Sequence, residues 1–383
     1  MFDPRRAQLA QVFAQCYGSE PTQWVRAPGR VDLMGSHTDY NQGFVLTLPI
    51  DRDTWIAARP TDARRVRLVS LNLDEAAEFN LDDPAPTTTG FARYVQGVAM
   101  ILHREGFFPL TGFDAVIHST VPLRSGLSSS AALEAATAVL LAALGGFNVE
   151  PVRLAKLCQR AENEIVGMQC GILDQYSSIL GRAGTAVVLD CRQLTHRNAP
   201  LPTDVHIVIC NTCAPRELAG SEYGERRAQC EEGARQLGVA YLRDVSIEQF
   251  ARRERELSPV VARRCRFIIE ESGRVGGLAH ALTQNDRAAI GRLTAASYAG
   301  ARDLFEIGAP AMDAMMRAML GSPGVIGARQ TGAGFGGCLV AFVQEGELEP
   351  FVAHVQRQYV AETGMTPEVY PVSAADGAEV LPG

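Results

Sequence analysis

The chain has 383 residues, 46% hydrophobic and 21% charged, which predicts a globular protein of about two domains, each large enough to bury a core. A net charge of -7 with pI near 5.6 argues against nucleic acid as the main partner. The sequence opens with no basic, apolar leader and holds no apolar run of about 18 residues, so a cytoplasmic protein without a membrane partner is expected.

In chain order, Arg5–Tyr17 reads as an amphipathic helix, Gly43–Pro60 as strands around Pro49, and Val66–Leu81 as a further stranded stretch. Phe91–Glu105 carries apolar residues near helical spacing. Gly112–Ser119 alternates and reads as a strand that feeds a serine-rich turn. The helix Ser130–Leu144 follows, stopped by Gly145-Gly146. Val152–Val166 reads as one helix, Leu173–Leu180 follows a glycine-containing turn, and Ala186–Asp190 is a strand. The polar, proline-bearing stretch from Arg192 to Thr203 is expected to cross between halves. The second half reads as a strand at 205–210, helices at 222–237, 258–282, 285–304 and 310–319, and a strand at 338–343. Arginines 252, 253, 255, 263, 264 and 266, interleaved with glutamates, predict a solvated helix face. Nine scattered cysteines argue against a disulfide framework, and Cys210-Asn-Thr-Cys213 has no second pair to make a zinc site. The pattern is mixed α+β with two lobes.

Three segments carry chemistry. The run Pro122-Leu-Arg-Ser-Gly-Leu-Ser-Ser-Ser-Ala-Ala-Leu-Glu134 joins a short turn to an alanine-rich helix. Amide groups at a helix N-terminus lack intrahelical acceptors and the helix dipole favours negative charge there, so Arg124, Ser125, Gly126, Leu127, Ser128, Ser129 and Ser130 are candidates to cradle phosphate. A plain serine cap is the alternative. The only lysine, Lys156, follows no phosphate-loop pattern. The second segment, Arg26 to Gly43, packs Arg30, Asp32, His37, Asp39 and Tyr40 between glycines. It suits a hydroxyl-rich ligand or, alternatively, a self-bonded surface turn. The third, Thr331-Gly-Ala-Gly-Phe-Gly-Gly-Cys-Leu-Val340, is a glycine-rich loop entering a strand.

The order and spacing of these segments resemble the GHMP kinases (galacto-, homoserine, mevalonate and phosphomevalonate kinases), most closely their galactokinase branch. The resemblance continues through Ala161-Glu-Asn-Glu, Cys170-Gly-Ile-Leu-Asp-Gln175, Ser221-Glu-Tyr-Gly-Glu-Arg-Arg227 and Ala301-Arg-Asp-Leu-Phe-Glu306. It implies a two-lobed α+β fold with mixed sheets and the active site in the cleft between lobes. The N-terminal domain is placed at 1–190 and the C-terminal one at 191–383. It implies ATP-dependent phosphorylation of a sugar's anomeric hydroxyl, most simply that of galactose; a monomer is the default expectation.

By the same resemblance Asp174 and Arg30 are the catalytic pair. Ser36, His37, Asp39, Gly171, Asp174 and Tyr223 line the sugar. Ser130 and Glu162 hold Mg²⁺, and Phe91 and Tyr94 flank adenine unless they are simply core. One departure bears on substrate. The family usually reads Arg-Val-Asn-Leu-Ile-Gly-Glu-His where this chain reads Arg30-Val-Asp-Leu-Met-Gly-Ser-His37. The absent glutamate contacts the carbon-6 hydroxyl, and Asp32, Met34 and Ser36 resemble the arabinokinase branch. L-Arabinose or galacturonate is therefore the alternative sugar. A non-catalytic sugar and ATP sensor is the alternative of another class, opposed by the intact Arg30, Asp174, Ser130 and Glu162.

Overall fold

The computed structural model describes residues 3–123, 125–214 and 219–382. Helix α1 (Pro4–Tyr17) starts on an Asp3 cap with proline in its first turn and stops at left-handed Gly18. Strands β1 (Gln23–Met34) and β2 (Phe44–Pro60) pair antiparallel, followed by β3 (Arg65–Ser70), β4 (Glu75–Asn80), helix α2 (Gly90–Arg104) and β5 (Phe113–Ser119). Then come α3 (Ser129–Gly145), α4 (Pro151–Arg160), α5 (Leu173–Leu180), β6 (Thr185–Asp190), β7 (Thr195–Pro200) and β8 (Val205–Asn211). The remainder is α6 (Ala219–Gln236), α7 (Ile247–Arg253), α8 (Pro259–Thr283), α9 (Arg287–Asp303), α10 (Pro310–Leu320), β9 (Val325–Gln330), β10 (Cys338–Gln344), α11 (Leu348–Thr363), β11 (Glu368–Val372) and β12 (Glu379–Val380).

Two sheets organise these elements. The larger runs β12-β1-β2-β5-β3-β4, with β6 also on β2 and β7 on β6; the smaller runs β11-β8-β10-β9. The long β2 makes this possible, since Phe44–Thr47 pairs with β6 and Thr54–Pro60 with β5. Only β3 and β5 run parallel, so the larger sheet is mixed.

Helix α3 is buried along most of its length because Ala131, Ala132, Ala135, Ala136 and Ala138 are small enough to let it press onto β1 and α2. A second core joins the sheets: Val31 and Leu33 of β1, Ile207 and Ile209 of β8, and Leu278 of α8 pack in one cluster.

Several sequence expectations are corrected. The motif around Arg30 is not all turn: β1 carries it as far as Met34, and only Gly35 onward turns. The polar crossover after Arg192 contains β7, an edge strand whose outer groups face water, which explains its polar sequence. Val152–Val166 is not one α-helix, because Ala161–Val166 widens into a π-helical turn. The arginine-rich face is only partly solvated. Arg264 is buried, donating to Gln229 Oε1, the Leu304 carbonyl and Glu306.

Candidate active site

Arg30 sits on β1 just past Gly29, where the register with β2 is irregular. A Cβ on Gly29 would stand 2.7 Å from the Leu127 carbonyl, so only glycine lets the turn before α3 close onto the strand. The Arg30 amide then donates to that carbonyl at 3.1 Å, and Nη1 donates to the Gly126 carbonyl at 2.7 Å.

The rest of the guanidinium faces Asp174, in the first turn of α5. Nε and Nη2 both donate to Oδ1, at 2.8 and 2.6 Å. Ser128, held left-handed at φ 63, donates its hydroxyl to Oδ2. One carboxylate is thus fixed by three donors beside the N-terminus of a buried helix. Ser125, Gly126 and Leu127 form the turn that leads there, with Ser125 Oγ donating to the Pro122 carbonyl at 2.8 Å. Arg124, the remaining candidate of this turn, lies outside the described residues.

Ser129 and Ser130 open α3 and line a cavity of about 510 Å³ together with Phe91, Tyr94, Leu123 and Leu133. Phe91 and Tyr94 are half-buried, lining the cavity on one side and packing against the core on the other. Burial, then Glu162 and Glu134, push the Tyr94 hydroxyl up to about 12.

Glu162 projects from the π-helical turn, a bulge that frequently marks functional positions. It is buried, and its Oε2 accepts from Cys170 Sγ at 3.3 Å. Burial first, then the neighbouring charge of Asp174, raise its carboxyl above the ordinary value.

Gln175 is a site residue that the sequence reasoning missed. Its Nε2 donates to Glu162 Oε2 at 2.6 Å and to Glu134 Oε2 at 2.9 Å, tying the segment that carries Asp174 to the π-turn. A glutamine directly after the candidate acid was the only hint available.

On the other side lie His37, Asp39 and Tyr223. Gly171 allows Asp39 to nest there: a Cβ at 171 would stand 1.7 Å from Asp39 Oδ2. Burial pushes the Asp39 carboxyl up to about 6, opposed by the Tyr40 amide and reinforced by Asp174. The His37 ring is buried and pulled down to about 4 by desolvation. Its Nε2 donates to the Ala333 carbonyl at 2.9 Å, and Nδ1 accepts from the Tyr40 hydroxyl at 2.8 Å, the assignment that suits a neutral ring. Tyr223 of α6 stacks on His37 with centroids 4.9 Å apart.

Ser36 is oriented differently from what its sequence position suggests. Its hydroxyl is buried, donating to Asp32 Oδ2 at 2.6 Å and accepting from Arg329 Nη2 at 2.7 Å.

Three family models match in chain order: the galactokinase galactose-binding signature over residues 11–60, the GHMP kinases N terminal domain over 93–182, and the GHMP kinases C terminal over 278–361. The fold agrees. A mevalonate kinase from Methanococcus jannaschii superposes with a TM-score of 0.66 at 18% identity, covering 94% of this chain and 100% of that one. Together the matches and the two-sheet architecture define an ATP-dependent phosphotransferase of the GHMP class. The galactokinase of Roseiflexus sp. (strain RS-1) is 41% identical over 375 residues, 97% of this chain and 96% of that protein. The crystal structure of Lactococcus lactis galactokinase complexed with galactose has a TM-score of 0.93 at 32% identity, covering 98% of this chain and 99% of that one. The chain belongs to the galactokinase family and is a sugar kinase. Among the described residues no helix is long and apolar enough to cross a membrane.

Proposed function

We propose that this kinase transfers the γ-phosphoryl group of ATP to the anomeric hydroxyl of galactose. The observation that carries this reading is the arrangement of Arg30, Ser128 and Asp174 at the N-terminus of α3, between the Phe91–Tyr94 cavity and the Asp39–Tyr223 wall.

Asp174 accepts the hydroxyl proton as the sugar oxygen forms its bond to the γ-phosphorus. The bond from that phosphorus to the bridging oxygen breaks, and ADP leaves. Arg30 orients the carboxylate and sets positive charge beside the transferring group. Positioning and electrostatics contribute more than proton abstraction in such a step. The serine-rich turn and the first amides of α3 receive the phosphates, while Phe91 and Tyr94 flank the base. Asp39, Tyr223, His37 and the Gly171 backbone wall the sugar. Ser36 acts behind that wall, through Asp32 and Arg329.

Ser130 and Glu162 would hold Mg²⁺. Their hydroxyl and carboxylate oxygens suit a hard cation, and the like charges of Glu162 and Asp174 call for a positive counterpart. Among the described residues no group of three His, Cys, Asp or Glu side chains is arranged to hold a metal, so nucleotide oxygens and water complete the shell in this reading. When bound, the ion neutralises phosphate charge. The nine free cysteines suit the reducing cytoplasm.

The test is ADP release with galactose, L-arabinose and galacturonate as acceptors. Galactose should give the highest kcat/KM. Asp174→Asn, which keeps the shape but loses the charge, should lower kcat by about a thousandfold or more while the protein stays folded. A variant that keeps a tenth of wild-type turnover, to order of magnitude, would remove Asp174 from the reaction.

A further inference from the structure

Behind the sugar wall, around Ser36, lies a charged cluster that touches none of the reacting atoms in the mechanism above. Arg329, on β9 of the smaller sheet, is fully buried. Its Nη2 donates to Ser36 Oγ at 2.7 Å and to Glu271 Oε1 at 3.1 Å, its Nη1 to Asp32 Oδ1 at 3.4 Å, and its Nε to Ser297 Oγ at 3.0 Å. Glu271 Oε1 also accepts from the Gly35 amide at 3.1 Å. One guanidinium therefore joins β1, the turn after it, α8, α9 and the strand that leads into the glycine-rich loop.

Two further ties run alongside. The Asp32 amide donates to Thr331 Oγ1 at 2.9 Å, and His37 Nε2 reaches the Ala333 carbonyl. Residues 32–37 and 329–333 are thus bonded through Arg329, Thr331 and Ala333, although their strands belong to different sheets. Burying an arginine among carboxylates is a poor route to stability, because desolvation offsets the attraction. What it does supply is a single geometry, since a planar fork satisfies its partners in only one arrangement.

We propose that Arg329 is a positioning residue for phosphoryl transfer. It clamps the turn that carries His37 and Asp39 to the strand entering the glycine-rich loop, so that the sugar wall is set relative to Asp174. The inference rests on the reading of that turn as the sugar wall.

The experiment compares Arg329→Lys and Thr331→Val, which cut the clamp, with Tyr298→Phe. The last removes a 2.5 Å hydrogen bond to Asp313 that lies outside the cluster and controls for general destabilisation. Galactose KM should rise about fivefold in both clamp variants, with ATP KM within about twofold of wild type, and Tyr298→Phe should move neither. Hydrogen exchange of the 33–44 segment should accelerate in the clamp variants and not in Tyr298→Phe. Thr331→Val decides alone if Arg329→Lys does not fold. Unchanged exchange in that segment, or sugar and ATP KM rising in step, would overturn the clamp. A wild-type enzyme inactive on galactose would instead overturn the substrate reading, and the exchange measurement would still judge the clamp.

Discussion

Asp39 and His37 stand two positions apart and respond to pH in opposite senses. Burial holds the Asp39 carboxyl up at about 6, so between about 4 and 6 the folded chain keeps a proton that the unfolded chain has released. Stability falls as pH rises through that window. Burial pulls His37 down to about 4, so from there to about 6.5 the unfolded chain binds a proton that the folded one refuses. That contribution rises with pH and offsets the first. Asp39→Asn removes the falling part, so its melting temperature relative to wild type should climb from pH 4 to pH 6, to about a unit in either bound. Parallel profiles would mean that Asp39 is not protonated in that range. Position 36 carries a second prediction. Glutamate there, read from sequence alone, would simply restore a contact to the carbon-6 hydroxyl. In the fold it would join Asp32 and Glu271, which already share Arg329, with Arg274 on the other oxygen of Glu271. An unpaired buried carboxylate costs about 3 kcal/mol or more, so Ser36→Glu should lower the urea midpoint sharply, and Asp32→Asn in the same chain should recover most of it. A fully stable single variant would show that the side chain at 36 reaches the pocket instead.

Between elements, what the sequence disclosed depended on whether the signal was local. Helices such as α2 and α3 were legible because apolar spacing and a glycine stop are written in consecutive residues. The pairing of Arg30 with Asp174 was legible because each sits inside a recognisable motif, although 144 positions separate them. The π-turn was not legible: residues 161–166 continue the helical pattern, and only the packing of α2 on it selects the wider turn that presents Glu162. β7 was missed because an edge strand with one solvated side has the composition of a loop. Strands β9, β11 and β12 and helix α11 lie beyond any motif and were not expected. Arg329 was missed for a related reason. An arginine in a strand reads as exposed unless its partners are known, and those partners come from four distant segments. A carboxylate in the apolar run of α8, Glu271 after Ile268-Ile269, was the trace it left.

At the scale of the molecule, the chain ends by returning to where it began. After β11 completes the smaller sheet, the segment from Ser373 crosses to the larger one, and β12 pairs with β1 through Val25 and Arg26. Along the way Ala375 donates to the Pro49 carbonyl at 3.0 Å, Gly377 to Gly181 at 3.0 Å, Ala378 to Ser178 at 2.8 Å and Leu381 to Trp24 at 2.8 Å. Glu379 pairs with Arg26 at 2.7 Å. The closure at Gly377 is tight, for a Cβ there would stand 2.2 Å from the Ile179 carbonyl. Ile179 and Ser178 belong to α5, the helix whose first turn carries Asp174, and Ser178 Oγ also bonds the Pro28 carbonyl at 2.7 Å. The tail therefore braces α5 from the side of Ser178 and Gly181. Truncation after Ala374 removes these four backbone hydrogen bonds, worth about 1 kcal/mol each, together with the β12 pairing, so it should cost at least roughly 4 kcal/mol of a total stability on the order of 10. The melting temperature should drop by several degrees while the KM for sugar and for ATP stay near wild type, because no tail residue is among those proposed to hold either substrate. Turnover measured well below the melting point distinguishes the two roles open to the tail. If kcat falls with truncation at unchanged KM, the brace sets the angle of α5 and with it Asp174; if only the melting temperature moves, the tail does no more than hold the two sheets together.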